Sequence, residues 1–152
     1  METMTAVPIT LDQVKAFASA WYLALDQHAP IGQCYAMLAD EGLRVQFPDG
    51  DITDMSSFKT WYDRVTNIFF DESHNVVSVE GEVRDDEADV IVLVAWQASF
   101  WEPPAAKSKR TSMDATQHWI VRRSDKNPHG LVIQYYNATH EPFRYAPGFA
   151  RL

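Results

Sequence analysis

The chain has 152 residues, of which 46% are hydrophobic and 22% are charged, a composition typical of one globular domain and not of a disordered or fibrous chain. Thirteen basic against twenty-one acidic residues give a formal net charge of −8, which disfavours binding to nucleic acid or to an anionic membrane surface. A single cysteine, Cys34, excludes an internal disulfide and a thiolate metal cluster.

No apolar run approaches the ~18 residues of a membrane span. Residues 1–8 lack the charged and apolar regions of a secretory signal. Together these features predict a cytoplasmic protein.

Two helices are predicted at the start of the chain. Thr10 and Gln13 have the spacing of a capping box, with Thr10 as the N-cap. The next segment places six residues on one apolar face at helical spacing, namely Leu11, Val14, Ala18, Trp21, Tyr22 and Leu25. A second apolar helix follows Pro30, and Gly42 is expected to end it.

A short strand at 43–47 is expected to end in the turn Pro48-Asp49-Gly50. Asp54 is then a good N-cap for a third helix. Its apolar stripe consists of Phe58, Trp61, Tyr62, Val65, Ile68 and Phe69. His74 is predicted to lie in the connection that follows this helix.

From residue 75 onward the apolar period changes from 3.6 to 2, which predicts strands at 75–84, 89–101, 109–123 and 130–140. The connections between them are short, so we expect antiparallel pairing. Three helices followed by a strand meander indicate the α+β class and not alternating βαβ units.

The strand at 89–101 is apolar on both faces. One face carries valines with Trp96 and Phe100, and the other carries Ile91, Leu93 and Trp101. A sheet with one solvated face alternates more cleanly than this. Since three helices can cover only one face, we expect a homodimer through the outer sheet face.

These landmarks, in this order, resemble the SnoaL-like branch of the nuclear transport factor 2-like superfamily. They are Tyr22 and Asp26 late in the first helix, Phe47 before the Pro-Asp-Gly turn, His74 after an aromatic third helix, and Trp119 in the third long strand. The resemblance implies a cone-shaped, cystatin-like fold in which three helices pack inside a curved antiparallel sheet around a deep apolar pocket.

The resemblance covers the chain as a single domain, 1–152. Residues 1–9 are expected to form an N-terminal extension. Residues 141–152 are expected to form a tail that closes the pocket or joins the dimer interface.

The resemblance also implies a candidate catalytic pair. In dehydratase and dehydrochlorinase members of the superfamily, an aspartate orients a histidine that acts as general base, and Asp26 and His74 occupy the matching positions. Neutral imidazole, with a free pKa of ~6.5, can accept a proton near neutral pH. The alternative interpretation is a solvated Asp26 and an exposed His74 in the polar run 71–74.

Candidate substrate-binding residues are Tyr22 and Asn137, as the hydroxyl and amide that hold a substrate oxygen, with Trp119, Tyr135 and Phe47. Which face of strand 109–123 looks inward is left open by the sequence. His118 and His140 have no further ligand at metal-binding spacing, so no metal is expected. Phosphate-binding loops, a nucleophile elbow and a dinucleotide fingerprint are absent, so no cofactor is expected.

The first functional hypothesis is a cofactor-independent lyase or isomerase with a small apolar, cyclic or aromatic substrate. The alternatives are a non-catalytic small-ligand binding protein with the same pocket, or an interaction subunit such as a dioxygenase small subunit. The sequence does not identify the ligand, because pocket shape depends on rotamers and on strand curvature.

Overall fold

Helices precede a curved sheet in the computed structural model of the protein, which describes residues 8–152. In the described part of the chain the elements are α1 (Leu11–Asp26), α2 (Ile31–Tyr35), β1 (Arg44–Phe47), β2 (Gly50–Ile52), α3 (Met55–Ile68), β3 (Phe69–Val83), β4 (Glu87–Phe100), β5 (Lys109–Arg123), β6 (Leu131–Asn137) and β7 (Arg144–Tyr145). Residues 1–7 of the expected N-terminal extension lie outside the described residues, and Ile9 is buried in the core.

Helix α1 begins as predicted. The Thr10 hydroxyl accepts a hydrogen bond from the backbone N–H of Gln13 at 3.0 Å. The Gln13 side chain instead donates to the carbonyl of His129 at 2.9 Å, which ties the helix to the loop before β6. The buried face comprises Val14, Phe17, Ala18, Trp21, Tyr22, Ala24 and Leu25. Leu11, expected on this face, is exposed.

Helix α2 is shorter than expected because the chain after it pairs with β6. Leu38 forms a parallel bridge with Ile133. The backbone N–H of Ala39 donates to Ile133 O at 2.9 Å, and Ile133 N–H donates to Met37 O at 2.8 Å. These bonds satisfy backbone groups that a longer helix would have used.

Strands β3 to β6 form the predicted antiparallel meander, and the sheet order is β2-β1-β6-β5-β4-β3, with β7 paired to β5. Strand β1 pairs with β6 in the parallel direction, so the sheet is mixed and not wholly antiparallel. The architecture is α+β, as predicted, with a curved and unclosed sheet.

His74 lies inside a strand, so its predicted place in a connection is wrong. Strand β3 begins at Phe69, directly after α3, and His74 pairs with Trp96 of β4. A β-bulge between Phe70 and Ser73 adds one residue to β3 relative to β4. The polar run that resembled a loop is this bulged start of the strand.

The buried side chains of β5 show which face of the sheet points toward the helices. On β5 this inner face carries buried Met113, Ala115, Gln117, Trp119 and Val121, while His118 lies on the outer face. A further bulge occurs where β5 passes from Ile120 to Val121, opposite one extra residue of β6. Because of this extra residue, the inward-facing position that follows Ile133 on β6 is Tyr136 and not Tyr135.

Candidate active site

A cavity of about 580 Å³ lies between the helices and the inner face of the sheet. Its wall is mostly apolar and includes Leu25 of α1, Trp61 of α3 and Val94 of β4. Phe143 and Tyr145, from the chain after β6, also line it. A cavity of this size and character suits a small organic molecule.

His74 lines this cavity, and Asp26 holds it from behind the cavity wall through two hydrogen bonds. Asp26 Oδ1 lies 2.5 Å from His74 Nδ1, and Asp26 Oδ2 accepts from the backbone N–H of His74 at 2.8 Å. The Asp26 and His74 side chains are 14% and 10% exposed, respectively. Among residues 8–152, the Nε2 atom of His74 has no hydrogen-bond partner. The carboxylate therefore fixes the ring and leaves Nε2 available as a base.

Two aromatic rings hold the His74 imidazole between them. Tyr22 of α1 is stacked on it with a centroid distance of 4.5 Å and an interplanar angle of 18°. Trp96 of β4 lies 5.5 Å away at 16°. Both rings line the cavity. They limit rotation of the imidazole and keep water from its faces.

Tyr22, Gln117 and Tyr136 form a buried hydrogen-bond network in the cavity wall. The Tyr22 hydroxyl donates to Gln117 Oε1 at 2.5 Å, and the Tyr22 and Tyr136 hydroxyls are 2.9 Å apart. Trp119 Nε1 also donates to Gln117 Oε1 at 3.0 Å. Since Oε1 of Gln117 already accepts two hydrogen bonds, its NH2 group is the part that can donate hydrogen bonds to the Tyr136 hydroxyl and to a ligand.

The two tyrosines stay protonated because they are buried. Burial, followed by the proximity of Tyr136, raises the pKa of Tyr22 well above its usual value. Burial raises the pKa of Tyr136 to about 12, although hydrogen bonds with Tyr22 and Gln117 act in the opposite direction. Both groups can therefore act as neutral hydrogen-bond donors and acceptors near neutral pH.

The structure brings some of the predicted substrate-binding residues to the cavity and not others. Tyr22 lines it, and Phe47 lines it while stacking on Trp61 at 4.3 Å and 3°. Trp119 is fully buried behind Tyr22, with ring centroids 5.8 Å apart, and does not line the cavity.

Tyr135 and Asn137 lie on the opposite sheet face because of the β6 bulge. The Tyr135 hydroxyl donates to Gln46 Oε1 at 2.9 Å, and Asn137 Oδ1 accepts from the backbone N–H of Thr139 at 2.9 Å. Neither lines the cavity. Their proposed contact with a ligand is therefore not supported by the geometry.

Sequence reasoning missed Gln117, Tyr136 and Glu72, which all line the cavity. For Gln117 a signal existed, since it interrupts the apolar alternation of Met113, Ala115, Trp119 and Val121 on β5. Tyr136 was hidden by the bulge of β6, and Glu72 by the bulge of β3.

Within residues 8–152, no group of three or more His, Cys, Asp or Glu side chains is placed to hold a metal ion. No helix in the same range is both long enough and apolar enough to cross a membrane.

Solved structures share this fold at low sequence identity, whereas no family model and no curated protein matches the sequence. The structure named LinA has a TM-score of 0.67 at 16% identity, with 93% of this chain and 97% of that chain covered. A protein named for scytalone dehydratase, from Novosphingobium aromaticivorans, has a TM-score of 0.66 at 15% identity, with 92% and 94% covered.

A nuclear transport factor 2-like superfamily protein from Salmonella enterica has a TM-score of 0.61 at 12% identity, with 92% of this chain and 91% of that chain covered. At these identities the likeness shows the fold alone. The chain has the nuclear transport factor 2-like, or cystatin-like, fold that the sequence predicted.

Proposed function

We propose that this protein is a cofactor-independent lyase or isomerase that acts on a small cyclic or aromatic molecule, with His74 as general base and Asp26 as the residue that orients it. The observation that carries the proposal is that His74, which lines a mostly apolar cavity, is hydrogen-bonded to Asp26 through Nδ1, with Nε2 unpartnered within residues 8–152. One similar fold belongs to a protein named for a dehydratase, which agrees with this chemistry.

In an elimination, Nε2 of His74 takes a proton from a carbon next to a carbonyl group. The electrons of that C–H bond form a carbon–carbon double bond, and the bond to a leaving hydroxyl breaks. The hydroxyl oxygen gains a proton supplied ultimately by solvent and departs as water, and His74 returns the proton taken from carbon to solvent. Asp26 stabilises the imidazolium that forms, and a base held in this way contributes about 10²–10⁴-fold to the rate.

The substrate oxygen has donors in the same cavity. The amide NH2 of Gln117 carries two hydrogens, and its oxygen is already occupied by Tyr22 and Trp119. We assign the Gln117 amide the role that the sequence suggested for Asn137, because the Tyr22 proton is donated to Gln117 Oε1 and the Tyr136 proton to the Tyr22 oxygen. Such donors stabilise the negative charge that develops on a carbonyl oxygen when its neighbouring carbon loses a proton.

The test is turnover of a panel of small cyclic β-hydroxy ketones, cyclic alcohols and ketones by the wild type, His74→Gln and Asp26→Asn. His118→Gln is a matched control, because His118 also contacts a carboxylate, Asp89, at 2.6 Å but on the outer sheet face. We expect His74→Gln to lose about 10²–10⁴-fold in rate and the control to lose none. Turnover that survives both cavity substitutions would contradict the mechanism.

Binding without turnover would favour the non-catalytic alternative. Thermal shift of the wild type by members of the same panel measures binding directly. The interaction-subunit alternative implies a pocket filled by its own side chains, and a cavity of about 580 Å³ argues against it.

We also propose a homodimer through the outer sheet face, where Ile91 and Leu93 are only half-buried. Sedimentation should then give twice the 17.3 kDa chain mass, and Leu93→Lys should shift the particle to one chain. A wild-type particle of one chain at micromolar concentration would rule this out.

A cytoplasmic location stays a prediction from the sequence.

A further inference from the structure

A second acid–histidine pair lies next to the first. His28 Nε2 is 2.7 Å from Glu72 Oε2. The Glu72 side chain is 10% exposed and lines the cavity, whereas the His28 side chain is 31% exposed. The pair therefore joins the cavity to the protein surface, and the proposed base mechanism leaves it without a role.

Unusual backbone geometry positions both members of this pair. Among the described residues, only two other than glycine have a positive φ angle, His28 at 48° and Asp71 at 50°. His28 follows the end of α1, and Asp71 lies in the β3 bulge directly before Glu72. Left-handed backbone at such residues costs on the order of 1 kcal/mol and persists where the surroundings impose it. The bulge allows Phe69, Glu72 and His74 all to face the cavity.

The charges around Glu72 come from three elements. Burial raises the pKa of Glu72, and the nearby Asp26 carboxylate acts in the same direction. The hydrogen bond from His28 and the charges of His74 and His28 act in the opposite direction. Tyr62 of α3 also faces this carboxyl group. Burial is the largest effect, so the group retains a proton at higher pH than an exposed glutamate does.

We propose that Glu72 is a second catalytic residue, the general acid that protonates the leaving oxygen, and that His28 relays protons between Glu72 and solvent. This inference rests on the proposed function. The Glu72 carboxyl gives its proton to the leaving hydroxyl as the C–O bond breaks, and water departs. His74 holds the proton taken from carbon and releases it, and Glu72 regains one through His28, so each turnover releases only product and water.

The decisive experiment compares two substrates with the same carbon skeleton, one with a hydroxyl and one with an acetate leaving group. Acetate leaves as a stable anion and needs no acid. We expect Glu72→Gln to lower kcat about 100-fold or more on the hydroxyl substrate and less than about threefold on the acetate. Asp71→Asn is the control, because it changes the adjacent carboxylate, which is exposed.

His74→Gln should lower turnover of both substrates, because removal of the carbon proton is common to both. If His74→Gln fails to do so, the proposed function itself is wrong. If His74→Gln inactivates the enzyme but Glu72→Gln loses activity equally on both substrates, or on neither, then only the role of Glu72 is wrong. Equal loss would indicate a structural effect.

A second measurement needs no substrate. Infrared spectra over a pH titration of the wild type and of Asp71→Asn should contain the carbonyl band of a protonated carboxylic acid that persists to higher pH than the bands of exposed carboxyl groups. We expect Glu72→Gln to lack it. A band of equal intensity in Glu72→Gln would overturn the proposal, because Glu72 would then have no proton to give.

The relay is tested with His28→Ala, which removes the imidazole at a partly exposed position. Added imidazole buffer should restore much of the lost turnover on the hydroxyl substrate, whereas a structural defect would not respond to it. No restoration would overturn the role of His28.

Discussion

Replacement of Asp26 by asparagine should reverse the tautomer of His74. In the wild type, one carboxylate oxygen accepts the backbone N–H of His74 at 2.8 Å and the other lies 2.5 Å from Nδ1. The backbone N–H can only donate, so the introduced amide would keep its oxygen there and present its NH2 group to Nδ1. The ring must then accept at Nδ1 and carry its proton on Nε2. The lone pair that faces the cavity would be lost.

The expected loss of activity is large and the loss of stability is small. A histidine base held in the wrong tautomer loses about 10³–10⁴-fold in rate, which corresponds to about 4–5.5 kcal/mol. The fold keeps both hydrogen bonds, but both change from charge-assisted to neutral, a total difference of about 2 kcal/mol. For a chain of this size, that lowers Tm by about 6 °C.

The assay combines ¹⁵N NMR of the imidazole nitrogens, which distinguishes the two tautomers, with steady-state kinetics on a substrate from the panel. Asp12→Asn, at an exposed position in the first turn of the same helix, is the control and should change neither measurement. If Asp26→Asn keeps the proton on Nδ1, or keeps full activity with the proton on Nε2, the proposed orientation of the base is wrong.

Three further outcomes are expected. Gly81→Ala would place a Cβ atom 2.2 Å from the carbonyl oxygen of Asp89, so its free energy of unfolding, measured with urea, should fall by more than about 2 kcal/mol. The control Gly32→Ala has open space around its Cβ and should lose no stability. Burial raises the pKa of Glu72, so the contribution of this group to the stability of the wild type falls as pH rises through the raised pKa. The difference in Tm between Glu72→Gln and the wild type should therefore shift in favour of the variant from about pH 4.5 to about pH 7. A difference that does not change with pH would contradict this. Deletion of residues 142–152 removes part of the cavity lining and should weaken the binding of panel ligands, measured by calorimetry, at least about tenfold. If both the affinity and the particle size are unchanged, the tail neither closes the pocket nor joins the dimer interface.

Local signals predicted the helix starts well. Thr10 and Asp54 cap α1 and α3 through their side-chain oxygens, and Ser57 completes a capping box with Asp54. Strand β5 has the predicted bounds, 109–123. These features depend on residues a few positions apart, which a single sequence displays directly.

The face of β6 could not be predicted, because it depends on pairing with β5. Strict alternation after Leu131 and Ile133 would place Tyr135 and Asn137 on the same inner face. The bulge opposite Val121 inserts one residue and brings Tyr136 inward instead. Nothing local to β6 marks that bulge, since it arises from the register between two strands.

The Asp26–His74 pair was named from the family resemblance and not from spacing. A separation of 48 residues carries no periodic signal, so only the assembled fold brings the two side chains within hydrogen-bonding distance. Glu72 was overlooked for a related reason: four consecutive polar residues at 71–74 are typical of a loop, and the pairing with β4 that makes them a strand is non-local.

The bulges of β3 also protect the protein from self-association into fibrils. In the described sheet β3 is an edge strand of 15 residues, and a long, flat edge would recruit strands of other molecules. Its register is interrupted twice, at Phe70/Ser73 and at Val76/Ser78, and acidic Glu80 and Glu82 follow near its end. The irregularity that turns Glu72 toward the cavity thus also makes the rim of the sheet a poor template for aggregation.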